Sequence, residues 1–151
     1  MPTFHGTDLR KGRRSLPGQA YLLTTVTRER KPVLADFSLA RLVVAELKRS
    51  DTERLTETLA FVVMPDHLHW LVVLRDGDLP GVMRRVKSRS AAAAGRALGC
   101  RVLLWQRGYH DHAVRRGEDL RNLARYVVGN PLRAGLVEDL GQYPLWDAAW
   151  V

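Results

Sequence analysis

Two nearly continuous apolar runs, residues 59–63 and 68–74, set the pattern of this 151-residue chain. Runs of that length with little polar alternation read as strands covered on both faces. Met64-Pro65-Asp66 separates them, and proline beside aspartate is turn chemistry. An antiparallel hairpin is therefore expected, with strands near 56–64 and 67–74. Upstream, residues 19–27 have the β-branched and aromatic content of a strand. Asp36 is a candidate N-cap, and Ala40, Val43, Val44 and Leu47 follow at helical spacing, which predicts an amphipathic helix ending near Lys48. Asp78 and Gly99 bracket a longer helix with apolar positions Leu79, Val82, Met83, Val86, Ala93 and Ala97. Residues 101–106, containing Val-Leu-Leu-Trp, predict a short strand. Residues 117–129 predict a third helix that buries Leu120, Leu123, Ala124, Val127 and Val128.

The order strand, helix, strand, strand, helix, strand, helix is that of a ferredoxin-like (RRM-like) α+β fold. It implies an antiparallel sheet with two crossover helices on one face and an additional C-terminal helix, which carries Tyr126. The length suits one domain with a proper core, assigned to residues 19–151, preceded by a basic, Gly- and Pro-containing arm over 1–18. An apolar fraction of 46% and the lack of any run long enough for a membrane span point to a soluble protein with no membrane partner. One cysteine, Cys100, rules out an intrachain disulfide and fits a cytoplasmic setting.

Charge changes the picture. The chain carries +8, unevenly placed: residues 1–31 hold seven Lys/Arg against two acids, and residues 79–133 hold twelve against three. Segregated, arginine-rich charge points to a polyanion, nucleic acid foremost. Arg85, Arg89 and Arg96 share one edge of the second predicted helix, either as a solvated face or as a track for phosphates. Lys87, Arg107, Arg115, Arg116 and Arg133 are the other candidate DNA contacts.

His67 and His69 follow the predicted turn two residues apart, so a strand aims both imidazoles to one face. Two imidazoles in an apolar strand are costly to bury without a shared partner, and a metal ion is one. A His-x-His-x-Asp zinc hydrolase would need an acid where Leu71 stands, and a barrel hydrolase needs about 250 residues. A Cys/His structural zinc site is excluded by the single cysteine. His110-Asp111-His112 is a second such pair, in a polar context that reads as a loop or strand end. On the third helix, Tyr126 falls about 130° from the apolar stripe at 100° per residue, away from the core. Asn130, one turn on, is a third metal ligand by position, or with Pro131 the cap of a following short helix. Trp105 reads as core.

The Met-Pro-Asp-His-Leu-His and Tyr-x-x-x-Asn-Pro-Leu-Arg-Ala-Gly-Leu stretches, with Trp-Gln-Arg-Gly-Tyr between them, resemble the REP-associated tyrosine transposases. These are single-tyrosine members of the HUH endonuclease superfamily. The resemblance covers roughly residues 19–145. It implies that His67 and His69 bind Mg²⁺ or Mn²⁺, with Asn130 near the third ligand position. It also implies that Tyr126 attacks single-stranded DNA at hairpin or palindromic repeats and forms a 5′-phosphotyrosine. The protein would act as a monomer or as a homodimer. Two rival readings are a hairpin-binding protein that does not cut and a metal phosphodiesterase that uses water.

Overall fold

The hairpin predicted from the two apolar runs is the centre of the sheet. In a computed structural model of the chain, which describes residues 15–115, 118–139 and 143–148, β1 spans Ala20–Val26, β2 Thr56–Met64 and β3 His67–Leu74. Helix α1 covers Phe37–Thr52 and α2 Leu79–Leu98. Strand β4 is His110–Ala113, α3 is Leu120–Val128, α4 is the single turn Asn130–Arg133, and β5 is Trp146–Ala148. The sheet order is β4-β1-β3-β2-β5, with every neighbouring pair antiparallel. Its first four strands have the expected ferredoxin-like arrangement; β5 adds an edge strand beside β2.

Alternate residues of the central strands divide the two faces. Leu23, Val63, Leu68 and Trp70 pack under α1 and α2, while Ala60, Val62 and Leu71 pack against Ala124, Val127 and Val128 of α3. The α3 face of β3 carries His67 and His69 beyond Leu71. This explains why neither central strand shows polar alternation: both faces are covered.

The predicted caps form. Asp36 Oδ1 accepts from the amides of Ser38 and Leu39 at 2.9 and 3.2 Å, Asp78 Oδ1 accepts from Gly81 N–H at 2.8 Å, and Gly99 closes α2 at φ 73°. Helix α1 runs past Lys48 because Asp51 is pinned to β2, accepting from the hydroxyls of Thr56 and Thr58 and from the Thr58 amide. In α2 the inward alanine near the C-terminus is Ala94, and Ala97 is exposed.

The strand expected over 101–106 does not form. Only Trp105 makes a bridge, to Thr27, and the fourth strand begins at His110. The intervening carbonyls are used differently: those of Gln106 and Gly108 accept from Lys87 Nζ at 2.7 and 2.6 Å. Trp105 Nε1 donates to Ser90 Oγ at 2.9 Å, tying the segment to α2, and it meets the sheet only at the end of β1, where the Gln106 amide donates to Val26 O at 2.9 Å. Most of the arm, residues 1–14, lies outside the described residues, as does Arg116. Ser15 Oγ accepts from the Leu79 amide at 3.1 Å. Among the described residues, no helix is long and apolar enough to cross a membrane.

Candidate functional site

The two-residue spacing of His67 and His69 places their rings on the α3 face of β3, with centroids 4.7 Å apart and planes at 79°. Each ring has one nitrogen held from behind. His67 Nδ1 donates to Asp66 Oδ1 at 2.7 Å. His69 Nδ1 pairs with the Thr24 hydroxyl at 2.8 Å, across the β1–β3 register that sets Thr24 opposite His69. Buttressing of this kind fixes ring orientation and leaves the Nε2 lone pairs for a ligand.

Electrostatics keeps His69 in ligand form. Burial, then the neighbouring His67 and the Arg133 guanidinium, lower the His69 pKa from 6.5 to about 4, so its imidazole is neutral at neutral pH. Partial burial alone would raise the Asp66 carboxyl. The hydrogen bond and charge of His67, together with Arg30, outweigh burial and hold it below its ordinary value. Arg30 Nε reaches Asp66 Oδ2 at 3.3 Å.

The tyrosine helix meets this strand through its end. Asp119 caps α3, accepting from the amides of Arg121 and Asn122, and the apolar stripe seats α3 on β2 and β3. Asn130 then brings Nδ2 to 3.2 Å from His67 Nε2, a contact between residues 63 positions apart. Asn130 is the first residue of α4, with Pro131 next to it; Gly129 takes the N-cap position and no side chain caps the turn, so the Asn130 cap expected from sequence does not form. Tyr126 points away from the stripe and is 55% exposed. Its ring lies under the Arg133 guanidinium at 4.1 Å, and Arg133 Nη2 donates to the Tyr126 carbonyl. Gly129 makes room for this clasp, since a Cβ there would stand 3.0 Å from Arg133 Nη1.

Can these groups hold a divalent ion? Among the described residues no three His, Cys, Asp or Glu side chains gather to do so. Two Nε2 atoms and an amide remain as the donor set. Rotation of the Asn130 terminal amide exchanges Nδ2 for Oδ1, a competent hard donor. That set fits an ion that accepts mixed nitrogen and oxygen ligands.

Of the other residues singled out from sequence, Arg85 and Arg96 are exposed on α2. Arg89 is engaged, 2.9 Å from Glu53, and Lys87 is spent on the Gln106 and Gly108 carbonyls; neither stands ready as a simple phosphate contact. Arg107 is exposed beside the α2 groove, and Arg115 is exposed with its amide donating to Glu118. The second histidine pair is in β4, where His110 stands opposite Thr24 in the strand register and His112 Nε2 lies 3.2 Å from Glu118. Sequence reasoning missed Thr24 and Asp66. Asp66 adjoins His67 and was open to view, whereas Thr24 is 45 residues from His69 and only strand register joins them.

Comparison with known proteins gives the family and supports the fold. The family model described as "Transposase IS200 like" matches residues 16–130. A REP-associated tyrosine transposase of Escherichia coli K12 is 27% identical over 133 residues, spanning 85% of this chain and 76% of the relative. The solved structure of a REP-associated tyrosine transposase bound to a REP hairpin aligns with TM-score 0.73 and 25% identity, over 89% of this chain and 79% of that one. A solved Deinococcus radiodurans structure aligns with TM-score 0.54 and 25% identity, over 79% of this chain and 95% of its own.

Proposed function

This chain belongs to the IS200-like transposase family, and from that membership we propose that it cuts and rejoins single-stranded DNA at hairpin or palindromic repeats, with Tyr126 as nucleophile. The observation that carries the reading is the approach of Asn130 to His67. It joins the end of the tyrosine helix to the histidine strand, which supports the reading that nucleophile and imidazoles serve one phosphate. The hairpin held by the structural relative supports the choice of DNA form.

His67, His69 and Asn130 would hold Mg²⁺ or Mn²⁺. When bound, such an ion supplies Lewis-acid polarisation of a phosphate oxygen. The chain's own residues do the rest. Asp66 and Thr24 orient the imidazoles. Arg133 steadies the Tyr126 ring by a cation–π contact and offers its remaining N–H groups to the phosphate. Tyr126 Oη gives up its proton and attacks phosphorus; the P–O3′ bond breaks, and the 3′-oxygen leaves as a hydroxyl. The 5′-phosphotyrosine keeps the ester bond, so a 3′-hydroxyl reverses the step and joins strands, returning the proton to Tyr126.

The test is incubation with single-stranded palindromic DNA from beside the protein's own gene, with Mn²⁺, followed by a denaturing gel. A covalent protein–DNA band is expected, lost in Tyr126→Phe and lost on chelation, with hairpin binding retained in the variant. Cleavage without any adduct would establish the water-dependent phosphodiesterase in its place. Binding without cleavage would leave only a hairpin-binding protein.

A further inference from the structure

Strand register carries another histidine to the face of the candidate site. Thr24 of β1 stands opposite His69 of β3 on one side and opposite His110 of β4 on the other. Residues paired directly across antiparallel strands send their side chains to the same face. His110 therefore shares the α3 face with His67 and His69. The residues flanking β4 agree with that assignment. Tyr109 packs in the core under α1 and α2, and Val114 packs with the α3 cluster, so alternation puts His110 and His112 on the Val114 side. His110 is exposed and lies two strand spacings from His69, about 10 Å between backbones. Thr24, whose hydroxyl meets His69 Nδ1 at 2.8 Å, stands between them.

The side on which it stands matters, because phosphoryl displacement runs in line: the attacking and leaving oxygens take opposite sides of phosphorus. The sheet order is β4-β1-β3-β2-β5, and α3 packs over β2, β3 and β5. The end of α3 reaches His67 through Asn130, and Tyr126, one turn earlier, shares that side of the helix. The nucleophile thus comes to the imidazoles from the β2 side. A phosphate held at the imidazoles and attacked from there expels its 3′-oxygen toward β1 and β4, where His110 stands.

The departing oxygen needs a proton. An alkoxide is a poor leaving group, and histidine is the side chain whose ordinary pKa suits giving and taking a proton near neutral pH. The groups already placed around the phosphate do not supply one. His67 and His69 turn their Nδ1 atoms to Asp66 and Thr24 and leave only Nε2 lone pairs on the ligand side. The Arg133 guanidinium does not give up a proton.

We propose that His110 is the general acid of the cutting step and the general base of the joining step. The proposal rests on the DNA-cutting function above and adds a catalytic residue to it. In cutting, Tyr126 Oη loses its proton to solvent, and its electron pair forms the Oη–P bond. The P–O3′ pair goes to O3′, which takes a proton from the His110 imidazolium and leaves as a hydroxyl. In joining, neutral His110 takes the proton from an incoming 3′-hydroxyl as that oxygen attacks the phosphotyrosine, and Oη departs and regains a proton from solvent.

Single-turnover adduct formation on two substrates tests it. Both are single-stranded palindromic DNA from beside the protein's own gene, with Mn²⁺; in the second, sulfur replaces the 3′-oxygen at the mapped cleavage position. Sulfur leaves as a thiolate without a proton, because thiols ionise at about pH 8.5 and alcohols far above it. His110→Gln should form the phosphotyrosine adduct about a hundredfold more slowly than wild type on the natural DNA, and close to the wild-type rate on the sulfur DNA. The adduct made from the sulfur DNA should also rejoin a strand ending in a 3′-hydroxyl about a hundredfold more slowly in the variant. His112→Gln, on the same face and paired with Glu118 at 3.2 Å, should match wild type throughout. Hairpin affinity, and Mn²⁺ affinity read by electron paramagnetic resonance, should be unchanged in His110→Gln, which separates a proton role from a ligand or folding role. Equal slowing on both substrates, slowing on neither, or loss of Mn²⁺ affinity would overturn the proposal while leaving the cutting function in place. If wild type forms no adduct with the natural DNA, the cutting function itself falls and the proposal falls with it.

Discussion

His69 shows how much a single residue can carry. Its ring is braced by Thr24, crowded by His67 and faced by the Arg133 cation, and its pKa falls from 6.5 to about 4. The sign for stability follows directly. Between those values the unfolded chain binds a proton that the folded chain refuses, so stability falls as pH drops through the window and levels off below about 4. The full shift corresponds to roughly 3 kcal/mol, and partial solvent access reduces the expected loss to about 2. Urea unfolding with a chelator present, compared at pH 7 and pH 5, should show this loss beginning in wild type and flattened in His69→Gln. That range stays above the Asp66 carboxyl, whose lowered pKa adds its own loss only at more acid pH. The imidazole pair and Asn130 could be picked out from sequence because periods of two and four residues are local. The Arg133 clasp on Tyr126 could not, since it depends on how α4 continues from α3 through Gly129, where a Cβ would crowd Arg133 Nη1.

Among the elements, the joint between α1 and β2 sets the register of the sheet edge. Asp51 accepts from the Thr56 hydroxyl at 2.7 Å and from the hydroxyl and amide of Thr58 at 3.0 and 3.1 Å, and Thr58 Oγ1 accepts from Trp70 Nε1 at 2.9 Å. Removing the carboxylate leaves the Thr58 amide and both hydroxyls without this acceptor in a half-buried place. Asp51→Ala should therefore cost about 2 kcal/mol, read as a lower urea midpoint with unchanged slope. No sequence signal marked Asp51, which sits near the end of a helix among other charged residues. The missing strand at 101–106 has the same kind of cause. An apolar run fits a buried strand and an apolar wall equally well, and Ser90 and Lys87 of α2 decide between them.

Over the whole molecule, the net charge of +8 predicts binding to a polyanion that weakens with salt. The structure sorts the cations that matter from those already neutralised. Arg89 faces Glu53 at 2.9 Å, while Arg85 is exposed and forms no ion pair with the described residues. In titrations of hairpin affinity against salt, Arg89→Gln should leave the log–log slope unchanged. Arg85→Gln should lower its magnitude by about 0.9, the value for one lost phosphate contact. A solvated role for the α2 edge would leave both slopes alone.

What this chain settled by sequence is whatever depends on neighbours a few residues apart: strand faces, helix caps at Asp36 and Asp78, the histidine pair, the outward tyrosine, and the family resemblance carried by two motifs. Element order even implied the sheet order, because short connections leave few ways to wind four strands and two helices. Tertiary structure decided the contacts across long loops: Thr24 behind His69, Asn130 against His67, Arg133 on Tyr126, and an apolar run lining a groove rather than joining the sheet. Those contacts arise from packing whole elements together, and a pattern of local spacings holds no information about which distant partner an element will meet.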